Sequence, residues 1–325
     1  MRIAIRCLHT IVFLSALASL APAEPPSTKT VEIDSPAVGR KMKYTIALPA
    51  NYESSGARYP VLYLLHGYTS DYTAWPRLGA AKAAEPYDLI VVSADAGNSW
   101  YVNWAKSEDG RKDDWEDAIV KDLVGHVDST YRTIASREGR AINGLSMGGY
   151  GALTIGLRHP DMFCSIGSHS GAIAIARSLG DRLKANPGEP LPRRVPPEKV
   201  NPLIDLEDFD GQAERTPKGR IFETAEQSEA HDPFKLVLNV SREKMPHINI
   251  DCGSEDRLID ASQEFMKLLM EKKIPFTYAQ SDGGHNPPYW TREIGHSMAI
   301  QYHILRRNLA EKDKDAADST KAEKP

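Results

Sequence analysis

Gly144-Leu145-Ser146-Met147-Gly148-Gly149-Tyr150-Gly151-Ala152 is the stretch on which the reading of this chain turns. Its first five residues match G-x-S-x-G, a pentapeptide common enough to arise by chance, so its surroundings carry the weight. A short apolar segment around Ile142 precedes it, and Tyr150 to Leu157 continue it as a helix. Strand, turn and helix in that order make an elbow so sharp that the serine sits in strained backbone and its neighbours must be small. Gly144, Gly148, Gly149, Gly151 and Ala152 meet that demand.

Outward from the elbow, short apolar runs end in small or polar residues. Val61 to Leu65 lead to His66-Gly67, and Leu89 to Val92 lead to Ser93-Ala94-Asp95. Phe163 to His169, His247 to Cys252 and Phe276 to Ala279 follow the elbow. Runs without alternation fit strands buried on both faces of a parallel sheet. Helices fall between them: Trp115 to Tyr131, with Trp115, Ile119, Leu123 and Val127 at four-residue steps, then Ala261 to Lys272, and last Met298 to Leu309. Strands alternating with helices specify the α/β class, a mostly parallel, doubly wound sheet. From Val31 to Pro49 the apolar residues alternate with polar ones, as in half-buried antiparallel edge strands. The acidic stretch Glu108 to Asp117 reads as a solvated helix start and has no calcium-loop spacing. Residues of about 172–246, rich in charge and in prolines such as Pro187, Pro190 and Pro192, are too many for a connecting loop. They read as an insertion over the strand ends.

The ends of the chain differ in character from its middle. Arg2 and Arg6 precede an apolar run from Ile11 to Leu20, and Ala21-Pro22-Ala23 places small residues where a signal peptidase cuts. Residues 1–23 are therefore expected to be a cleaved export signal, leaving a protein that is secreted or periplasmic. Ten apolar residues fall short of the roughly 20 needed to span a bilayer, so no stable membrane insertion is expected. Residues 24–310 form the folded domain, and 311–325, lacking apolar periodicity, read as a disordered tail. A composition of 41% hydrophobic and 26% charged residues is that of a globular chain. The formal charge of −4, with both signs interspersed, offers no basic face for nucleic acid. Cys164 and Cys252 fall at opposite ends of two strands expected to be parallel neighbours, an offset of about 16 Å that no disulfide spans. Both should be free.

A serine hydroxyl needs a base to take its proton, and the base needs an acid to orient it. Asp256, just past the strand His247 to Cys252, projects at the same sheet edge as Ser146. Its competitors are Glu255, which should face the other way, and Asp260, which belongs to the next helix. His285, in Asp282-Gly283-Gly284-His285, lies on a glycine-flanked loop able to carry an imidazole over the serine. The other histidines have ordinary places: His159 before Pro160, His169 and His247 at strand ends, His296 and His303 in the final helix. His66 precedes the serine and is expected to brace its loop. Negative charge developing on a carbonyl oxygen would be met by the backbone N–H groups of Met147 and of Tyr68, with Gly67 second. Trp100, Tyr101 and Asn103, with Trp290 after His285, are candidate substrate-binding residues, because aromatic rings with polar tips suit flat or sugar-bearing ligands. No metal-ligand spacing appears, and neither metal nor cofactor is expected.

Tyr59-Pro60-Val61-Leu62-Tyr63-Leu64-Leu65-His66-Gly67, the elbow, and the Asp256 and His285 segments together resemble the esterase D group of α/β-hydrolases. Feruloyl and acetyl xylan esterases, tributyrin esterases, S-formylglutathione hydrolases and mycolyltransferases belong to it. The resemblance implies the α/β-hydrolase fold with an insertion over the site, Ser146, Asp256 and His285 as catalytic residues, and Tyr68 and Met147 as oxyanion donors. It implies an ester hydrolase working through an acyl-serine but does not fix the substrate. With the export signal, which departs from the cytosolic S-formylglutathione hydrolases, the expectation is an exported enzyme acting on short-acyl, aryl or sugar esters, small molecules or carbohydrates. The same machinery serves acyl transfer to a sugar alcohol, and a non-catalytic binding module would keep the fold without the chemistry. The intact serine, acid and histidine argue against the last.

Overall fold

The computed structural model describes residues 28–108, 110–186 and 216–322. The export signal expected at 1–23 and the middle of the insertion, 187–215, lie outside these residues. Eight strands form one sheet: β1 (Thr28–Ser35), β2 (Arg40–Ala47), β3 (Val61–Leu65), β4 (Ile90–Ala94), β5 (Arg140–Gly144), β6 (Ser165–His169), β7 (His247–Gly253) and β8 (Phe276–Ser281). Their order is β1-β2-β4-β3-β5-β6-β7-β8. The pairs from β4 to β8 are parallel, whereas β1 and β2 are antiparallel to each other and β2 is antiparallel to β4. The mostly parallel sheet expected from the apolar runs is present. Of the two strands expected at an edge, only β1 lies there. Tyr44 to Ala47 are buried without interruption and pair with Val91 to Ala94, which makes β2 interior.

Alternate residues of β3 supply two cores. Val61, Tyr63 and Leu65 face the larger one, which includes Ile119, Leu123, Val127, Leu153 and Phe265 from the helices on that side. Leu62 and Leu64 face a second, built with Trp75, Tyr289, Met298 and Leu305. The helical segment from Trp115 to Thr130 passes through a wider π-helical turn at Ala118–Leu123. Apolar residues spaced by four drift by about 40° per step on a regular 3.6-residue helix; the wide turn takes up this drift and keeps Trp115, Ile119, Leu123 and Val127 all buried.

The last helix runs from Pro287 to Ala322, so the tail expected to be disordered from Glu311 is helical as far as Ala322. Apolar periodicity ends near Leu309, but alanine, lysine and glutamate favour the helix without any core to bury. Arg307 and Glu311 pair at helical spacing, and Lys312 reaches Glu138 at 3.0 Å. No described helix is long and apolar enough to cross a membrane.

Candidate active site

Ser146 stands between β5 and the helix Met147–Arg158 with φ +54° and ψ −116°, left-handed backbone that a non-glycine residue adopts only at a cost. The elbow is as tight as its glycines suggest. A Cβ on Gly144 would lie 2.1 Å from the carbonyl oxygen of Gly148, and one on Gly148 would lie 2.2 Å from that of Leu65. The Ser146 N–H donates to the His169 carbonyl at 2.9 Å, and its own carbonyl accepts from Tyr150 and Ala172 at 3.1 Å each. The serine therefore sits at the positive end of a helix, where a developing anion is favoured.

The loop between β8 and the last helix brings His285 over it. His285 Nε2 is 2.9 Å from Ser146 Oγ, and His285 Nδ1 is 2.9 Å from Asp256 Oδ2. The other Asp256 oxygen accepts the Leu258 N–H at 2.9 Å. Ser146 is 4% exposed and Asp256 1%. Burial alone would push the Asp256 carboxyl up; the hydrogen bond and charge of His285, with the Leu258 N–H and the Ser170 hydroxyl, outweigh it and hold the group below its ordinary value. Glu255 and Asp260 are both exposed. The structure thus brings together the serine, the histidine and the carboxylate that the sequence favoured.

The loop after β3 lies against the elbow. A Cβ on Gly67 would stand 2.6 Å from Leu145 Cδ1 and 3.5 Å from Ser146 Cβ, so Tyr68 is carried next to the serine. Thr69, also left-handed at φ +66°, donates its N–H to Asn98 Oδ1 at 2.7 Å, and Asn98 Nδ2 reaches Thr216 Oγ1 at 2.9 Å. His66 is fully buried, with Nδ1 2.8 Å from the Gly67 carbonyl and Nε2 accepting the Ala96 N–H at 3.1 Å. That is a bracing position. Met147 N–H belongs to the first helical turn, immediately behind Ser146.

Two expected ligand contacts are corrected. Tyr101 has no exposed surface: its ring packs on Gly151, and its hydroxyl donates to the His66 carbonyl at 3.0 Å. Asn103 accepts the Asp117 N–H at 3.1 Å and ties down the helix start. The Tyr101 side chain is consumed by the fold, and the Oδ1 of the half-buried Asn103 is taken by it. Trp100, 7% exposed, stacks beside Tyr68 at 5.8 Å, and Trp290, 9% exposed, meets the His285 ring edge-on at 5.0 Å. These two remain at the site.

Two acids of the stretch expected to be solvated, Asp113 and Glu116, are buried, whereas Glu108 is exposed and Asp114 and Asp117 are half-buried. Asp113 is buried against Arg40 at 2.8 Å. Glu116 is buried among Arg158 at 2.9 Å, His159 at 2.6 Å and His231 at 3.7 Å. Burial would raise the Glu116 carboxyl, but the hydrogen bond from His159, the His231 ring 3.7 Å away and the Arg158 guanidinium hold it far below its usual range. This cluster clasps the described end of the insertion to the elbow helix. Arg158 also donates to the Ala230 carbonyl at 2.9 Å and Tyr150 to that of His231 at 3.1 Å. Cys164 and Cys252 are free and buried, and burial pushes each thiol up to about 12. Among the described residues no group of three or more His, Cys, Asp or Glu side chains could hold a metal ion.

A serine, histidine and carboxylate converging at the strand ends of such a sheet invite comparison with known proteins, and the Esterase family model matches residues 35–299. The chain belongs to the Esterase family. Esterase Rv1288 of Mycobacterium tuberculosis is 35% identical over 147 residues, 44% of this chain and 32% of that protein, so the chain spans about a third of that relative's length. The acetyl esterase of Caldicellulosiruptor saccharolyticus is 28% identical over 245 residues, covering 73% of this chain and 81% of that one. FphF, a fluorophosphonate-binding serine hydrolase of Staphylococcus aureus, shares the fold with a TM-score of 0.65. It is 23% identical and covers 86% of this chain and 99% of its own. The fold is that of the α/β-hydrolase esterases, and the esterase D resemblance stands with it.

Proposed function

We propose that this esterase is a carboxylic ester hydrolase that works through an acyl-Ser146 intermediate, with His285 as general base and acid and Asp256 as its orienting carboxylate. The observation that carries the proposal is the unbroken relay of two 2.9 Å hydrogen bonds from Ser146 Oγ through His285 to Asp256. Ser146 Oγ attacks the ester carbonyl carbon while His285 Nε2 takes its proton. The tetrahedral oxyanion is received by the N–H groups of Met147 and Tyr68, each worth roughly 10²- to 10³-fold in kcat. As the carbon–oxygen bond of the ester breaks, His285 returns the proton to the departing alcohol. Water then repeats the sequence on the acyl-serine and releases the acid.

Short-acyl, aryl and sugar esters are the proposed substrates, with Trp100 and Trp290 as the flanking walls. Export is part of the proposal, supported by Arg2, Arg6 and the apolar run before Ala23; the mass of the protein recovered outside the cytoplasm tests it. For the chemistry, the test is hydrolysis of p-nitrophenyl acetate by the purified protein and by Ser146→Ala, His285→Ala and the double variant. Each single change is expected to lower kcat about as far as both together, by roughly 10⁴-fold or more, because the groups act as a unit. Losses that multiply, or a Ser146→Ala protein retaining activity, would refute the relay.

A further inference from the structure

Beneath the site lies a second acid, histidine and serine, sealed from solvent. His169 and Asp251 are register partners on β6 and β7, and their side chains meet with Nδ1 2.7 Å from Asp251 Oδ2. The ring N–H is not aimed at that oxygen, so the contact is a close off-axis approach rather than a straight hydrogen bond. His169 Nε2 is 2.9 Å from Ser297 Oγ on the last helix. Asn143 on β5 donates to Ser297 Oγ at 3.0 Å and to Gln301 Oε1 at 2.9 Å, and Gly167 leaves the space that Asn143 fills. All of these side chains are buried, which excludes ester chemistry at Ser297. An apolar filling would be cheaper, since every polar group here loses about 1–3 kcal/mol if left unpaired.

What the cluster touches explains its presence. The His169 carbonyl accepts the N–H of Ser146 at 2.9 Å, and the Asp251 carbonyl accepts the N–H of Ser170 at 2.8 Å. Ser170, left-handed at φ +47°, places its hydroxyl near Asp256. On the other side Asp251 Oδ1 accepts the Tyr289 hydroxyl at 3.1 Å. The Tyr289 ring lies under Gly283, where a Cβ would come within 2.9 Å of it, and Gly283 begins the short loop that ends in His285. Asn286 Oδ1 fixes the Tyr289 N–H at 3.1 Å.

The geometry points to Asp251, with His169 and Tyr289, as the positioning unit that sets the distance between Ser146 and His285. The inference rests on the acyl-serine reading. Asp251 joins His169, whose carbonyl holds the Ser146 N–H, to the loop that holds the base, and directed hydrogen bonds such as those of Tyr289 to Asp251 and of Ser297 to His169 have one arrangement where an apolar contact has several. A displacement on the order of 1 Å between reacting groups costs about 100-fold in rate.

The experiment uses Tyr289→Phe, which removes one hydroxyl and keeps the ring, and Asp251→Asn. Active sites are counted with a fluorophosphonate, and kcat and KM for p-nitrophenyl acetate are measured well below Tm. Positioning predicts that kcat per titrated site falls about 10-fold in Tyr289→Phe and about 100-fold in Asp251→Asn, with KM within twofold. If kcat per titrated site stays within twofold of wild type in Tyr289→Phe, the inference is overturned, whether or not Asp251→Asn folds. A wild-type protein that neither hydrolyses the ester nor takes the label would instead overturn the acyl-serine reading, and the positioning role with it.

Discussion

Replacing Gly144 with alanine adds one methyl group where the chain has no room for it. The new Cβ would fall 2.1 Å from the Gly148 carbonyl oxygen and 2.2 Å from its carbon, both backbone atoms of the first helical turn. Ordinary contacts begin near 3.4 Å, so the strand end and the helix must part by about 1 Å, and Ser146 lies between them. Overpacking of this kind costs about 1–3 kcal/mol. Under the proposed acyl-serine mechanism, the same displacement at Ser146 predicts a fall in kcat of about 100-fold. Gly295, in the last helix with nothing within 4 Å of a built Cβ, is the matched control. Gly295→Ala should stabilise the protein by about 0.5–1 kcal/mol and leave kcat alone. Urea unfolding followed by tryptophan fluorescence reads the stabilities, and p-nitrophenyl acetate hydrolysis per titrated active site reads the rates. A Gly144→Ala protein whose kcat stays within threefold of wild type would show that the elbow tolerates expansion and that its tightness does not hold the serine in place.

Asp256→Asn should reduce kcat by about 10⁴-fold, as removing a triad carboxylate does, while Glu255→Gln, at an exposed side chain, should leave it within a fewfold; steady-state kinetics reversing that order would move the acid. Glu116→Gln should destabilise the protein by about 2 kcal/mol at pH 7, because it strips a charged hydrogen-bond partner from Arg158. The carboxyl of Glu116 is depressed by folding, so its contribution is complete above the ordinary glutamate value of about 4.3 and fades as pH falls below it. Urea curves at pH 7, 5 and 3 should therefore show the gap between wild type and variant narrowing only in acid. Trp100→Ala and Trp290→Ala should lower kcat/KM for methyl ferulate or a sugar ester far more than for p-nitrophenyl acetate; equal losses with a lowered Tm would make both rings structural.

The site was legible in the sequence where side-chain direction follows from a regular element. Ser146 could be placed because the glycines around it allow only one kind of turn, and Asp256 because parity beyond β7 sends Glu255 the other way. Tyr101 was misread for the opposite reason. Trp100 and Tyr101 are both left-handed, at φ +61° and +58°, in a loop without a period, and no spacing rule says which ring turns inward. Glu116 was misread because an acid in a first helical turn looks solvated on its own, whereas its partners His159 and His231 arrive from distant parts of the chain. The His169 and Asp251 pair left no signal beyond two polar residues in apolar strands. The sheet itself was visible because its short apolar runs are uninterrupted and bounded by small or polar residues, but the placing of β2 depended on a neighbour that periodicity does not name.

The backbone at Ser146 bears on how the chain is kept as it is. Glycine would occupy φ +54°, ψ −116° without strain, so serine at that position lowers stability by about 1–3 kcal/mol in every folded molecule, whether or not an ester is present. Selection for stability alone would exchange it. A population of this chain under selection for stability alone would therefore lose Ser146 before it lost the elbow, and the descendants with glycine there would be the more robust proteins.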